Sequence, residues 1–276
     1  MSDSRTEAKR PTNPDYVLEV HTVQVQGFKG TLEAIKDLLN ECNIHFDQHG
    51  MKIKTIDGKH IALVHIRYDA KKFDFYYCER DLSIGINIAN TLKVLKNISQ
   101  NDTLQLFVTR SDFDKAGIRI QNAEKGAVHE FYIKLMDLDD NDIDIPETEF
   151  TSIISMPSSD LHNLCKQYKE FATEIDIKSV GDQVIFSFTG DQTNGKSILN
   201  NNDNCLIVQK ATESDINHDE IIQARFMLKY LALFSKAYNL SNTVEIFLKN
   251  DYPIILKYSI ADLGTLKYCL APMADE

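Results

Sequence analysis

Three groups of residues in this chain have types and spacings that chemistry uses. The first, Gly190-Asp-Gln-Thr-Asn-Gly195-Lys196-Ser197, matches G-x-x-x-x-G-K-S in full, the pattern of a loop whose amides cradle phosphate. That device needs a helix starting at the lysine, so that free N–H groups and the helix dipole face the anion. Residues 198–204 (Ile-Leu-Asn-Asn-Asn-Asp-Asn) are poor helix formers, so the stretch reads as Gly/Asn hairpin chemistry. The second group, Cys42, His45 and His49, is a C-x2-H-x3-H cluster. Half of a structural zinc site is missing, and a helix-end thiol with turn histidines accounts for it. There is no G-x-S-x-G and no H-E-x-x-H, and no acid/base pair stands out. The aspartates of 137–144 fit no EF-hand register. The chain is expected to be no enzyme, with no cofactor and no metal.

The third group is a set of lysine pairs: Lys29 with Lys36, Lys93 with Lys96, Lys166 with Lys169, and Lys229 with Lys236. Spacings of three and seven keep each pair on one side of a helix. A solvated amphipathic face explains any single pair. Four such faces in an acidic chain point instead to phosphate, which lysine touches as a flexible point charge without reading bases. The lysine faces are read as carrying no aromatic platform of their own, with Tyr168 on the core side, which suits a duplex backbone better than stacked single strands.

The elements that must position these lysines follow from the apolar residues. Leu32, Ile35, Leu38 and Leu39 mark the core side of a helix expected over 28–42. Leu92, Leu95 and Ile98 do so over 88–98, Leu161, Leu164 and Tyr168 over 159–172, and Leu228 and Leu231 over 223–238. Residues 91–108 and 227–248 repeat one pattern: a leucine/lysine helix, Asn/Asp/Ser punctuation, then a Thr-initiated alternating strand. Such repetition fixes architecture before any motif does. Strands are expected over 17–25, 59–68, 72–78, 104–109, 130–134, 151–156, within 174–210, and over 243–249 and 254–260. Two helices against antiparallel strands, twice over, is an α+β fold with helices on one sheet face. The expected division is a disordered tail (1–15), a first domain (16–134), a connector (135–149) and a second domain (150–276).

At 276 residues the chain has room for two domains of about 100–150 residues, each with its own core. No apolar run nears the ~20 residues of a membrane span, so no membrane association is expected. The N-terminus has no apolar core of a secretory signal. Lys9-Arg10-Pro11 is too short for a nuclear signal. Five scattered cysteines without a CxxC read as buried free thiols of a reducing, intracellular compartment. The net charge of −11 argues against a surface coated in nucleic acid, so any such contact must be confined to the lysine faces. In the connector, aspartates alternate with Leu138, Ile143 and Ile145, and Pro146 ends the run. A solvated acidic linker is one reading; apolar residues lying against the domain or a partner peptide is the other.

Several segments together resemble the proliferating cell nuclear antigen family. They are Leu32-Glu-Ala-Ile-Lys-Asp-Leu38, Cys78-Glu-Arg-Asp-Leu82, Lys134-Leu-Met-Asp-Leu-Asp139, Ile145-Pro146-Glu147, Leu228-Lys-Tyr-Leu231, Ile260-Ala-Asp-Leu-Gly264, Leu266-Lys-Tyr268 and Leu270-Ala-Pro272. The resemblance runs from about Tyr16 to Met273. It implies the DNA-clamp fold, with three chains closing head-to-tail into a homotrimeric ring around duplex DNA. It further implies a processivity factor for DNA polymerase and other replication and repair proteins, opened by a separate clamp loader, in the nucleus or a viral replication compartment. Edge strands near 128–134 and 195–199 of the next chain would close the ring. The family's basic inner face maps onto Lys29, Lys36, Lys93, Lys96, Lys166, Lys229 and Lys236; Lys169 joins them from helical spacing alone. Gly30 and Asn163 stand where relatives are often basic. A groove for glutamine–aliphatic–double-aromatic peptides maps onto His60, Ile61, Leu63, Met136, Leu138, Ile143, Ile145, Pro146, Pro253, Leu270, Ala271 and Pro272. Cys269 replaces a usual tyrosine, which predicts a roomier groove floor. Gly181 or Asp182 falls where relatives offer a modifiable lysine, and the fifteen-residue N-terminal extension is foreign to the family pattern. Two rival readings remain at this point: a monomeric or hetero-oligomeric clamp-like subunit of checkpoint or viral type, and a nucleotide-dependent DNA enzyme built on 190–197.

Overall fold

The computed structural model of the chain describes residues 10–122, 124–139, 148–209 and 221–273. The described residues fall into two compact units, which interleave in sequence. One holds residues up to Lys29, Asn40–Ile53 and those of Arg67–Asp140; the other holds Gly30–Leu39, Lys54–Ile66 and those from Asn141 onward.

In the first unit, β1 (Tyr16–Thr22) lies in a five-stranded antiparallel sheet. After α1 (Val25–Ile35), whose last residues pass into the other unit, come β2 (Glu41–Asp47) and β3 (Gly50–Ile56). β4 (Ala62–Asp69), whose first residues belong to the other unit, β5 (Phe75–Cys78), β6 (Leu82–Asn87), α2 (Ile88–Val94), β7 (Asp102–Thr109), β8 (Lys115–Asn122) and β9 (Ala127–Lys134) follow. The five-stranded sheet runs β5-β1-β7-β8-β9, so β9 is an edge strand; a second ladder runs β6-β2-β3. The tight β2–β3 turn is set by Asp47, whose carboxylate accepts the amides of His49 (2.7 Å) and Gly50 (2.9 Å). Gly50 is obligatory there: a Cβ would lie 2.0 Å from the Tyr68 carbonyl oxygen.

In the second unit come β10 (Ser152–Pro157), α3 (Ser158–Tyr168), β11 (Glu174–Val180), β12 (Gln183–Thr189), β13 (Asn194–Asn200), β14 (Leu206–Gln209), β15 (Ile222–Met227) and α4 (Leu228–Phe234). A 3-10 turn (Ser235–Asn239), β16 (Thr243–Leu248), β17 (Ile254–Ile260) and β18 (Gly264–Leu270) complete it. One sheet runs β13-β12-β11-β15, leaving β13 at an edge; a second ladder runs β14-β10-β16-β17-β18-β4. Gly181, at φ 51°, opens the two-residue turn between β11 and β12, the position where a hairpin of this length demands glycine. The helices press Leu161, Cys165, Tyr168, Leu228, Leu231 and Phe234 into the core.

The α+β architecture, with four helices on antiparallel sheets among the described residues, is the one expected, but helix limits differ. The helix expected over 28–42 ends at Ile35, and Cys42 is already inside β2. The helix expected over 223–238 begins only at Leu228. Residues 223–227 are strand because Ile222 and Phe226 are buried on one face while the backbone pairs with β11. Leu164 is half-buried, and the neighbouring Cys165 takes the core position.

Tyr258 on β17 is fully buried. Its hydroxyl is the one buried side-chain oxygen or nitrogen without a hydrogen-bond partner among the described residues. An unsatisfied buried donor costs free energy, so Tyr258→Phe is expected to stabilise the protein by about 1 kcal/mol. The urea midpoint should rise with an unchanged slope. A lower midpoint would mean that the hydroxyl has a bonded partner in solution.

Candidate functional site

The eight lysines all lie on or just past helices. Lys29 is half-buried on α1, and its ammonium donates to the Lys96 carbonyl (3.2 Å). Lys36 continues the last turn of α1 and is exposed, its amide reaching the Leu32 carbonyl (3.1 Å). Lys93 on α2 donates to Asn90 (3.3 Å), and Lys96 follows that helix, exposed. Lys166 on α3 and Lys169 at its C-cap are exposed. Lys229 on α4 sets its ammonium 4.9 Å from the centroid of the Tyr230 ring, within cation–π range. Lys236, in the 3-10 turn, pairs with Asp37 at 2.6 Å. That partner lies 199 positions away in sequence, and sequence spacing gave no sign of it. Where α3 meets the 3-10 turn, His162 stacks on Tyr238 (4.4 Å, 20°) and its Nδ1 meets the Ser235 hydroxyl (3.2 Å). Burial first, then Lys166 and Lys236, hold the imidazole below its ordinary pKa, so it adds no charge near neutral pH. Gly30 packs against Leu240, whose Cδ2 would lie 2.8 Å from a Cβ there. A basic side chain at this position would have to displace that leucine.

A second feature is an apolar cleft of about 230 Å³ in the second unit, lined by Ile56, His60, Ile61, Ala62, Leu63, Tyr252, Pro253, Ile255, Cys269 and Ala271. Its walls are the β3–β4 loop and the β16–β17 turn, and its floor comes from β17 and β18. The Ala271 amide donates to the Ile61 carbonyl (3.2 Å), which ties the residue after β18 to the loop. His60 (φ 57°) and Asp251 (φ 58°) occupy left-handed backbone in the two walls. Side chains other than glycine are uncommon there and tend to cluster where surroundings over-determine the geometry.

Of the twelve groove residues named from sequence, His60, Ile61, Leu63, Pro253 and Ala271 line this cleft. Leu270 is fully buried in β18. Pro272 borders a different, polar hollow with Asp176, Lys178 and Arg225. Met136 and Leu138 lie in the first unit, where Met136 bridges to Gly85 and the Leu138 carbonyl accepts from Asn43 (3.2 Å). Ile143, Ile145 and Pro146 lie outside the described residues. Sequence reasoning missed Ile56, Ala62, Tyr252 and Ile255; the Tyr252-Pro253 step after Asn250-Asp251 was the available signal, a turn presenting an aromatic ring. Cys269 lines the floor of the cleft. Burial pushes its thiol up to about 11, partly opposed by Lys267, so it stays protonated and unreactive near neutral pH.

The loop-like 190–197 segment is not a phosphate cradle. Gly190 turns back on Thr193 (3.0 Å), and Lys196 and Ser197 sit on edge strand β13, with the Ser197 hydroxyl 2.6 Å from that of Tyr168. No helix follows the lysine. Cys42 and His45 lie on strand β2, not at a helix end, and His49 lies in the turn that follows. Among the described residues no three His, Cys, Asp or Glu side chains are grouped to hold a metal. No described helix is long and apolar enough to cross a membrane.

Both halves of the chain match family profiles. Residues 17–144 match "Proliferating cell nuclear antigen, N-terminal domain", and residues 144–273 match "Proliferating cell nuclear antigen, C-terminal domain". The chain is 31% identical over 263 residues to "Probable DNA polymerase sliding clamp 1" of Paramecium bursaria Chlorella virus 1, covering 93% of this chain and 97% of that protein. It is 34% identical over 257 residues to "Proliferating cell nuclear antigen" of Chaetomium thermophilum, covering 93% of this chain and 98% of that one. With both domain profiles matched end to end on a fold of the expected class, the chain belongs to the proliferating cell nuclear antigen family.

Proposed function

We infer that this protein is a DNA sliding clamp, a non-enzymatic processivity factor that tethers DNA polymerase and other replication proteins to duplex DNA. The match to both clamp domains over nearly the whole chain carries the reading. Three copies close into a ring through β9 of one chain and β13 of the next. Supporting this, each strand is the outermost of its sheet and each offers exposed apolar side chains: Val128 and Phe131 on β9, Ile198 on β13. A free sheet edge is a template for pairing, and a head-to-tail interface of this kind closes into a ring when its rotation is right.

The lysines of the four helices line the hole. Weak, delocalised contacts to phosphate let the ring move without a base-specific trap, while the net charge of −11 discourages DNA from binding elsewhere. Loading falls to a separate ATP-driven opener. The work takes place in the nucleus or in a viral replication compartment.

Partner proteins dock through short glutamine–aliphatic–double-aromatic peptides in the apolar cleft, to which the family resemblance adds Ile143, Ile145 and Pro146 of the connector as one wall. An exposed apolar hollow on an acidic protein is best used as a docking site. Leu63→Ala removes wall surface of the cleft, so peptide affinity should fall by roughly 1–3 kcal/mol with the melting temperature nearly unchanged. Calorimetric titration checks this. Undiminished binding would place the groove elsewhere.

A further inference from the structure

Asp57 lies behind the cleft rather than in its lining, and it is buried and bonded through both oxygens. Oδ1 accepts the amides of Ile61 and Ala62, each at 2.8 Å, and Oδ2 accepts the Tyr230 hydroxyl at 2.7 Å. The Asp57 amide and carbonyl complete the loop, the one donating to Ala62 (2.8 Å) and the other accepting from His60 (2.9 Å). Ile61 and Ala62 are cleft wall. Tyr230 comes from α4, is itself buried, and carries the Lys229 ammonium on its ring. Asp57, the cleft wall and α4 all belong to the second unit.

Burial alone would raise the Asp57 carboxyl, but the Ala62 amide, the Tyr230 hydroxyl and the Ile61 amide outweigh it and hold the pKa below the ordinary value. The phenol is pushed up to about 12, by burial and then by Asp57. Carboxylate and phenol therefore keep the bonded state across the physiological range. A cation over the ring draws electron density from the phenol and strengthens its hydroxyl as a donor.

We propose that Asp57 and Tyr230 are positioning residues for the cleft, and that they make its peptide affinity depend on where the Lys229 ammonium sits. With Lys229 over the Tyr230 ring, the phenol grips Asp57 firmly and the His60–Ala62 wall is held in its docking shape. With Lys229 drawn away to a phosphate, the grip weakens and peptide affinity falls. The coupling is reciprocal, so a docked peptide disfavours the Lys229–phosphate contact to the same degree. A bound partner would thereby lighten the ring's hold on the duplex. The proposal rests on reading the cleft as the peptide site.

The test is a double-mutant cycle read by fluorescence anisotropy with a synthetic glutamine–aliphatic–double-aromatic peptide. Tyr230→Phe should weaken binding about tenfold, as for loss of a hydrogen bond to a charged group. Lys229→Ala should weaken it two- to threefold with Tyr230 present and leave it unchanged with phenylalanine there. Equal effects of Lys229→Ala in both backgrounds would overturn the coupling. Wild-type affinity in Tyr230→Phe with only a lowered melting temperature would overturn the positioning role. Amide hydrogen exchange without peptide judges the pair separately: Lys229→Ala, an exposed change that spares the fold, should speed exchange at Ile61 and Ala62 several-fold. Unchanged rates contradict the proposal. Failure of the wild-type protein to bind the peptide would instead remove the groove reading and leave the exchange result to stand alone.

Discussion

If three chains close into the proposed ring, replacing Phe131 with aspartate is expected to convert a trimer of three 31.5 kDa chains into monomers. Phe131 is 40% exposed on β9, a strand whose outer edge has no neighbour in its sheet. The partner surface assigned to it, around β13, is of like character. Ile198 is 44% exposed, and Phe171, 47% exposed, stacks on Phe188 at an interplanar angle of 14°. Phe188 in turn lies over Gly195, where a Cβ would come within 2.5 Å of the ring. Stacked aromatic surface of this kind is what anchors interfaces. Removing an aromatic anchor costs about 2–4 kcal/mol per interface, and a closed ring has three. Each 1.4 kcal/mol is a factor of ten, so the deficit far exceeds what micromolar protein can offset. Light scattering should return one chain mass for the variant. An intact trimer would show that β9 does not carry the interface.

The second large effect concerns the lysine faces. The triple replacement of Lys36, Lys93 and Lys236 by alanine should weaken retention on duplex DNA equally across sequences. The slope of log affinity against log salt should fall by about one unit for every ammonium that no longer reaches phosphate. The three are not equivalent. Lys36 is exposed, and Lys93 donates to the neutral Asn90 amide oxygen, whereas Lys236 is paired with Asp37. A surface pair of this kind is weak, about 0–1 kcal/mol, yet it still competes with phosphate for the ammonium. Lys236→Ala alone should therefore cost less than Lys93→Ala, and Asp37→Asn should strengthen retention. Unchanged salt dependence in the triple variant would reduce these faces to solvated surface.

Much of this was legible in the sequence because helix periodicity and internal repetition are local signals. Leu32, Ile35, Leu161 and Leu228 repeat at helical spacing and are buried, and the motifs around 134–139 and 260–272 pointed to the family that both domain profiles match. Residues 223–227 misled because Gln, Ala, Arg and Met are good helix formers; pairing with β11, from Glu174 opposite Met227 to Ser179 opposite Ile222, overrides that preference. The cleft was only half legible. His60, Ile61 and Leu63 were mapped from the family resemblance, but Ile56, Tyr252 and Ile255 join them only because neighbouring strands β17, β18, β4 and β3 bring distant turns together. Tyr230 read as one more residue of a leucine helix, and nothing in its spacing announced a bond to Asp57, 173 positions earlier.

Encirclement is the central claim, and threading onto DNA tests it most directly. The protein is incubated with linear duplex carrying biotin at both ends. In one arm streptavidin is added after the protein, in the other before it, and both are washed in high salt. A closed ring slides on over free ends and is trapped once they are blocked, because retention is topological while lysine–phosphate contacts are screened. Encirclement predicts salt-resistant retention only when the ends were free at the time of addition, with release when a restriction cut reopens the duplex. Retention that ignores the order of blocking and vanishes with salt would contradict it.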